Sequence, residues 1–163
     1  MEAKSETRNR RGPLIAAGIF LGLGQAGFFD GIVLHQILQW HHMLASILPA
    51  TTVADLELNT FWDGLFHATC WILTLVGLVL LWRAGKRDDV PWSSKTFVGS
   101  LLVGAGSFNL VEGLINHQIL GIHHVKPGPN QLAWDMGFLA IGAALAVAGW
   151  FLLQAEQRDS TTA

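Results

Sequence analysis

The sequence predicts an all-α integral membrane protein, a four-helix bundle built from two parallel two-helix repeats with both termini cytoplasmic. Three observations predict it. Half of the residues are hydrophobic (51%) and only 13% are charged, against about a quarter in ordinary soluble domains. Four apolar runs are long enough to cross a bilayer, which takes about 20 helical residues. And one motif occurs twice, at a fixed offset of 82 residues: Asp30-Gly31-Ile32-Val33-Leu34-His35-Gln36-Ile37-Leu38-Gln39-Trp40-His41-His42 and Glu112-Gly113-Leu114-Ile115-Asn116-His117-Gln118-Ile119-Leu120-Gly121-Ile122-His123-His124.

At 163 residues the chain has the length of one domain. Residues 1–12 form a polar cytoplasmic tail carrying Arg8, Arg10 and Arg11. The apolar run that follows lacks a small-residue cleavage site, so no cleavable signal peptide is expected. The membrane domain covers residues 13–154, with spans at about 13–40, 61–82, 97–122 and 132–153. Between the first two lies a loop, 44–59, with Pro49, Asp55 and Glu57. The turn after the second holds Arg83, Lys86, Arg87, Asp88 and Asp89, and the loop before the fourth contains Pro127 and Pro129, which exclude helix there. Residues 155–163 form a second cytoplasmic tail.

Basic residues mark the inner side of a membrane. Arg8, Arg10, Arg11, Arg83, Lys86, Arg87, Lys95 and Arg158 fall on one side and only Lys126 on the other. Both His-His ends then face outward, with Trp40, Trp62 and Trp134 at the outer interface and Trp82, Trp92 and Trp150 near the inner one. The repeat continues past the motif: Trp62-Asp63 opens the second span and Trp134-Asp135 the fourth. Both halves thus have the same topology, which makes them parallel repeats about an axis along the membrane normal.

Ionisable residues inside a span are costly and mark function. Here Asp30, His35, His41, His42, Asp63, His67, Glu112, His117, His123, His124 and Asp135 all fall at the outer ends of the spans. All seven histidines of the chain are among them, six in the duplicated motif. His35, His41, His42, His67, His117, His123 and His124 are therefore candidate metal ligands, and Asp30, Glu112, Asp63 and Asp135 candidate proton-handling residues. His35 and His42, seven apart, share a face if the helix continues to the doublet. Gly31 and Gly113 lie one turn below His35 and His117 and leave room for an ion or a partner helix. Helical spacing puts Asp30 nearly in line with His41, and Glu112 with His123, so the acids are expected to orient the first histidine of each doublet. Asp63, His67 and Cys70 share one face of the second span, whereas Asp135 has Leu139 four residues on.

The bland readings stand beside these. One intramembrane histidine is as often a packing residue as a ligand; it is the duplication that argues for a metal. One member of each doublet can simply be solvated. Cys70 reads as a small core residue, Met43 as loop packing, and Gln36 and Gln118 as interhelical hydrogen bonders. Gly18, Gly22, Gly142 and Gly149 would permit tight self-association, and hence a homo-oligomer.

Ligand type is the guide to the metal. Imidazoles suit copper or zinc better than calcium, magnesium or manganese, and seven histidines exceed one ion's needs, so more than one copper ion is expected. Zinc is the first alternative. Haem held between facing histidines is the second. With one cysteine, Cys70, disulfides and Cys-Cys metal motifs are absent, and with no tyrosine a tyrosyl radical is too. The near-zero net charge gives no reason to expect nucleic acid.

The stretch Gly27 to His42, with Trp62-Asp63-Gly64-Leu65-Phe66-His67 and Asn116-His117 through His123-His124, resembles a family of bacterial four-span membrane proteins catalogued as a domain of unknown function. The resemblance covers roughly residues 13–154. It implies a bacterial inner-membrane location and the four-helix fold, and little about activity beyond copper binding and oxidase chemistry. The leading expectation is a copper-dependent membrane oxidoreductase: a quinol oxidase reducing dioxygen at a His-rich site near the periplasmic face. The alternatives are a copper or zinc binding and delivery protein, and a b-type haem protein.

Overall fold

The computed structural model describes residues 2–162, with side chains from 10 to 158; Arg8 of the basic tail lies outside the described side chains. The described residues are helical or in loops and turns, with no strand. Helix α1 runs Glu2–Phe29 and passes without a break into a π-helical segment, π1, at Asp30–Ile37. Helix α2 is Val53–Gly85. Helix α3, Ser94–Glu112, likewise passes into a second π segment, π2, at Gly113–Ile119, and α4 is Gln131–Thr162. Four helices are long and apolar enough to span a membrane: Arg10–Ile37, Val53–Gly85, Ser94–Ile119 and Gln131–Arg158.

Local chemistry accounts for where these differ from expectation. Helix α2 starts well before residue 61, because Thr52 and Asp55 form a capping box. The Thr52 hydroxyl accepts from the Asp55 amide and the Asp55 carboxylate accepts from the Thr52 amide. Ser93 caps α3 by accepting from the Thr96 amide. The first span ends at Ile37, not Trp40, and does not continue to the doublet. Gln39, at φ 49°, takes the left-handed conformation and turns the chain, as does Gly121 at φ 59° in the matching place. The bonds match as well: Leu38 N–H donates to Val33 O and Trp40 N–H to Leu34 O, Leu120 N–H to Ile115 O and Ile122 N–H to Asn116 O. These close a π-helix with a left-handed cap, and they fold each His-His pair back over the helix ends.

The helices are not equivalent. Helices α1 and α3 pack on each other at the centre; α2 packs chiefly on α1, and α4 on α3. Small residues allow this. A Cβ added at Gly22 would strike the Leu101 carbonyl and one at Gly104 the Ile19 carbonyl, so the α1 and α3 backbones touch here. Gly142 and Gly149 face Asn109 and Gly99 in the α3–α4 contact, and Gly18 faces Ser100. These glycines, read above as faces for self-association, are thus used inside the chain. The outer faces of α2 and α4 carry exposed Trp71, Ile72, Val79, Ile141, Val147 and Phe151, a surface suited to acyl chains.

Candidate metal centre

The two π segments carry the centre. In a π-helix the backbone bond runs i→i+5, so residues five apart come into register. Asp30 therefore lies against His35 (Oδ2 to Nε2 3.3 Å) and Glu112 against His117 (Oε1 to Nε2 3.1 Å). The expectation from ordinary helical spacing, that Asp30 orients His41, is overturned by this winding. Glu112 does reach His123 as well, 2.8 Å from Oε1 to Nε2.

The carboxylates of α2 and α4 organise the other side of the same rings. His35 Nδ1–H donates to Asp63 Oδ1 at 2.9 Å, and His42 Nδ1–H donates to Asp63 Oδ2 at 2.7 Å. The Met43 amide and the Gln36 side chain complete the Asp63 shell. Asp135 repeats the pattern with His124 at 2.7 Å, the Val125 amide at 3.0 Å and Gln118. His117 Nδ1 stands at a looser 3.6 Å from it. The doublets then cross between halves. His41 Nδ1–H donates to the Val125 carbonyl and His123 Nδ1–H to the Met43 carbonyl, at 2.8 and 2.9 Å. A carbonyl cannot donate, so these bonds leave Nε2 of each neutral ring as a lone pair.

The interior thus collects acceptors. Nε2 of His35, His41, His117 and His123 turns inward, beside the carboxylates of Asp30 and Glu112. The rings are close: His35 to His41 4.3 Å, His41 stacked on His123 at 4.7 Å, His117 to His123 5.0 Å between centroids. His35, His117 and His123 are between 0% and 3% exposed. Nε2 of His35, His41 and His117 makes no aligned hydrogen bond, although those of His35 and His117 stand within ion-pair range of an acid. Burial above all pushes the His41 imidazole down to about 3; it stays neutral, the form that ligates. Two donor triads are compact enough for an ion, each with its ligand atoms within 4.8 Å of one another: His35, His41, His123 and Glu112, His117, His123. They share His123. Buried lone pairs and carboxylates facing one another without donors need positive charge between them, as protons or as a metal.

Three histidines stand apart from this core. His42 and His124 are the outer members, with side chains 16% and 19% exposed, held by Asp63 and Asp135. His67 lies a layer below. Its ring stacks on Phe28, and its Nε2 fills the space that the missing Gly31 side chain leaves, as Leu139 fills that of Gly113. The room beneath His35 and His117 is therefore taken by partner helices. Cys70 is buried against Gly27 and is a packing residue. Sequence reasoning missed the carbonyls of Met43 and Val125, whose role no side chain signals. It also missed Asn59, fully buried, which accepts from the Leu44 amide and donates to the Leu48 and Asp55 carbonyls. Above the site Lys126 Nζ caps the rings of Trp40 and Trp134 at 4.6 and 5.4 Å.

Fold and site together define a four-span membrane protein with a buried histidine–carboxylate cluster at one end of the bundle. Residues 17–156 match the family described as "Predicted membrane protein (DUF2243)", and the chain belongs to that family of unknown function. No curated protein and no solved structure matches the chain.

Proposed function

We propose that this protein is a metal-dependent oxidoreductase of the bacterial inner membrane, holding more than one copper ion at the periplasmic end of its bundle and oxidising a quinol with dioxygen. The observation that carries the reading is the crowding of four buried imidazoles at one level, three of them held at Nδ1 by a carbonyl or carboxylate, which supply two compact donor triads with Glu112. Such bonds hold ring and tautomer in the ligating state, as outer partners do in metal sites. His35, His41, His117 and His123 are the ligands in this reading, with Glu112 and Asp30 completing the sphere. Asp63 and Asp135 position the imidazoles through Nδ1, and His42 and His124 close the rim. Bound copper supplies one-electron and oxygen chemistry that side chains lack.

A second feature supports a bilayer-borne substrate. A cleft of about 260 Å³ is lined by Phe66, Phe108, Val111, Ile115 and Asn116, with Glu112 in its wall. Glu112 Oε2 is buried without a hydrogen-bond partner. An apolar cleft with one free carboxylate oxygen fits an amphipathic ring bearing a hydroxyl, and Glu112 is placed to take its proton. The basic ends of the spans, opposite the histidines, support cytoplasmic termini.

The His41 and His123 rings, one from each half, stack at 4.7 Å, which favours small ions over a porphyrin between the halves. The burial of the donors favours a second reading, a copper or zinc binding and delivery protein, because secluded sites suit held ions. Elemental analysis and paramagnetic resonance of detergent-purified protein, followed by oxygen uptake with a soluble quinol, decides between them. Copper with quinol-dependent uptake that is lost in His41→Ala supports the oxidase. Copper or zinc without uptake leaves binding alone.

A further inference from the structure

The opposite end of the bundle holds a second polar constellation, independent of the histidines. Arg11, near the start of the first span, is only 7% exposed, and its Nε has no hydrogen-bond partner. Its ion pair with Glu156 is long, 3.8 Å from NH2 to Oε1, and does not engage Nε. Thr96 on α3 is 1% exposed, and its Oγ1 is also without a partner. Both line a cavity of about 300 Å³ between α1, α3 and α4, whose walls include Ile15, Trp150, Leu153 and Gln154. Two buried donors facing one cavity are a high cost for a fold to bear unless something accepts from them.

We propose that this cavity binds the phosphodiester of an anionic glycerophospholipid, with Arg11 Nε and the Thr96 hydroxyl donating to its oxygens. Charge and shape point that way. Guanidinium and hydroxyl donors suit a phosphoryl oxygen pair, and Ile15, Trp150 and Leu153 offer apolar wall for an acyl chain. Arg11 lies 24 residues before His35, about 36 Å along a helix, which is the headgroup level of the other leaflet. Arg10 at the same end is exposed and adds to the attraction of anionic lipid. Glu156 selects among anions: beside its carboxylate a singly charged diester is tolerated better than a doubly charged free phosphate.

Delipidated full-chain protein in detergent tests this, with thermal unfolding and native mass spectrometry against phosphatidylglycerol, diacylglycerol and inorganic phosphate. Phosphatidylglycerol is expected to stabilise the protein and to remain bound as one molecule per chain, and the other two to do neither. Arg11→Gln and Thr96→Val should each weaken that binding about tenfold or more, the worth of one hydrogen bond to a charged group. Glu156→Gln should tighten it, and Arg83→Gln, an exposed cation at the same end, should leave it unchanged. If Arg11→Gln fails to fold, the Thr96 and Glu156 variants carry the test. Equal binding of diacylglycerol would reduce the cavity to a greasy slot and overturn the proposal. So would wild-type affinity in Thr96→Val, or an equal shift with inorganic phosphate alone.

Discussion

Each inward-facing histidine is defined by two atoms, one held and one offered. Sequence alone marks the seven imidazoles and the four acids, but not which nitrogen does which task, because Asp63 reaches His35 across 28 residues and the Val125 carbonyl reaches His41 across 84. Removing a holding group is therefore expected to weaken the centre without removing a ligand. Asp63→Asn should cost about 10- to 100-fold in metal affinity, the usual effect of losing a partner behind a ligand, read by competition with a chelating dye. His67→Leu, which copies Leu139 of the other half, should leave metal stoichiometry unchanged by elemental analysis. Gln39 holds a left-handed backbone that costs a non-glycine residue about 1–2 kcal/mol. Gln39→Gly, matching Gly121, is expected to raise stability by about 1 kcal/mol, measured as a higher unfolding temperature.

At the scale of elements, the four spans were legible from hydropathy, and their boundaries erred where local chemistry intervened. The Thr52–Asp55 box lengthens α2, and the signal was present as a Thr-x-x-Asp spacing. The π winding of Asp30–Ile37 and Gly113–Ile119 was not legible, since an apolar membrane helix shows no periodicity that separates i→i+4 from i→i+5 bonding. That winding decides which acid meets which histidine. The α1–α3 contact depends on backbone approach, so Gly104→Leu is expected to destabilise the protein by about 3 kcal/mol, at the upper end for overpacking, read by thermal unfolding in detergent.

For the molecule as a whole, the basic residues and the even number of spans set both ends of the chain on one face. On the proposed topology, impermeant maleimide should label Asn130→Cys in intact cells and Asp88→Cys only in inverted vesicles. The offset of 82 residues was readable from the motif, and matching contacts recur in the second half, Asp63 with His42 and Met43, Asp135 with His124 and Val125, although the two aspartates stand 72 residues apart because the second loop is shorter. What no motif discloses is the order of packing, with α1 and α3 central, although the lower hydropathy of these two spans agrees with it.

The exchange of His41 and His123 onto the Val125 and Met43 carbonyls means that neither helical hairpin owns a finished cluster. Severed in the 86–93 turn, each fragment would keep its own acids yet leave one imidazole of its doublet dangling. Produced together, the two pieces are expected to find each other and regain the wild-type complement of ions, whereas either alone would not.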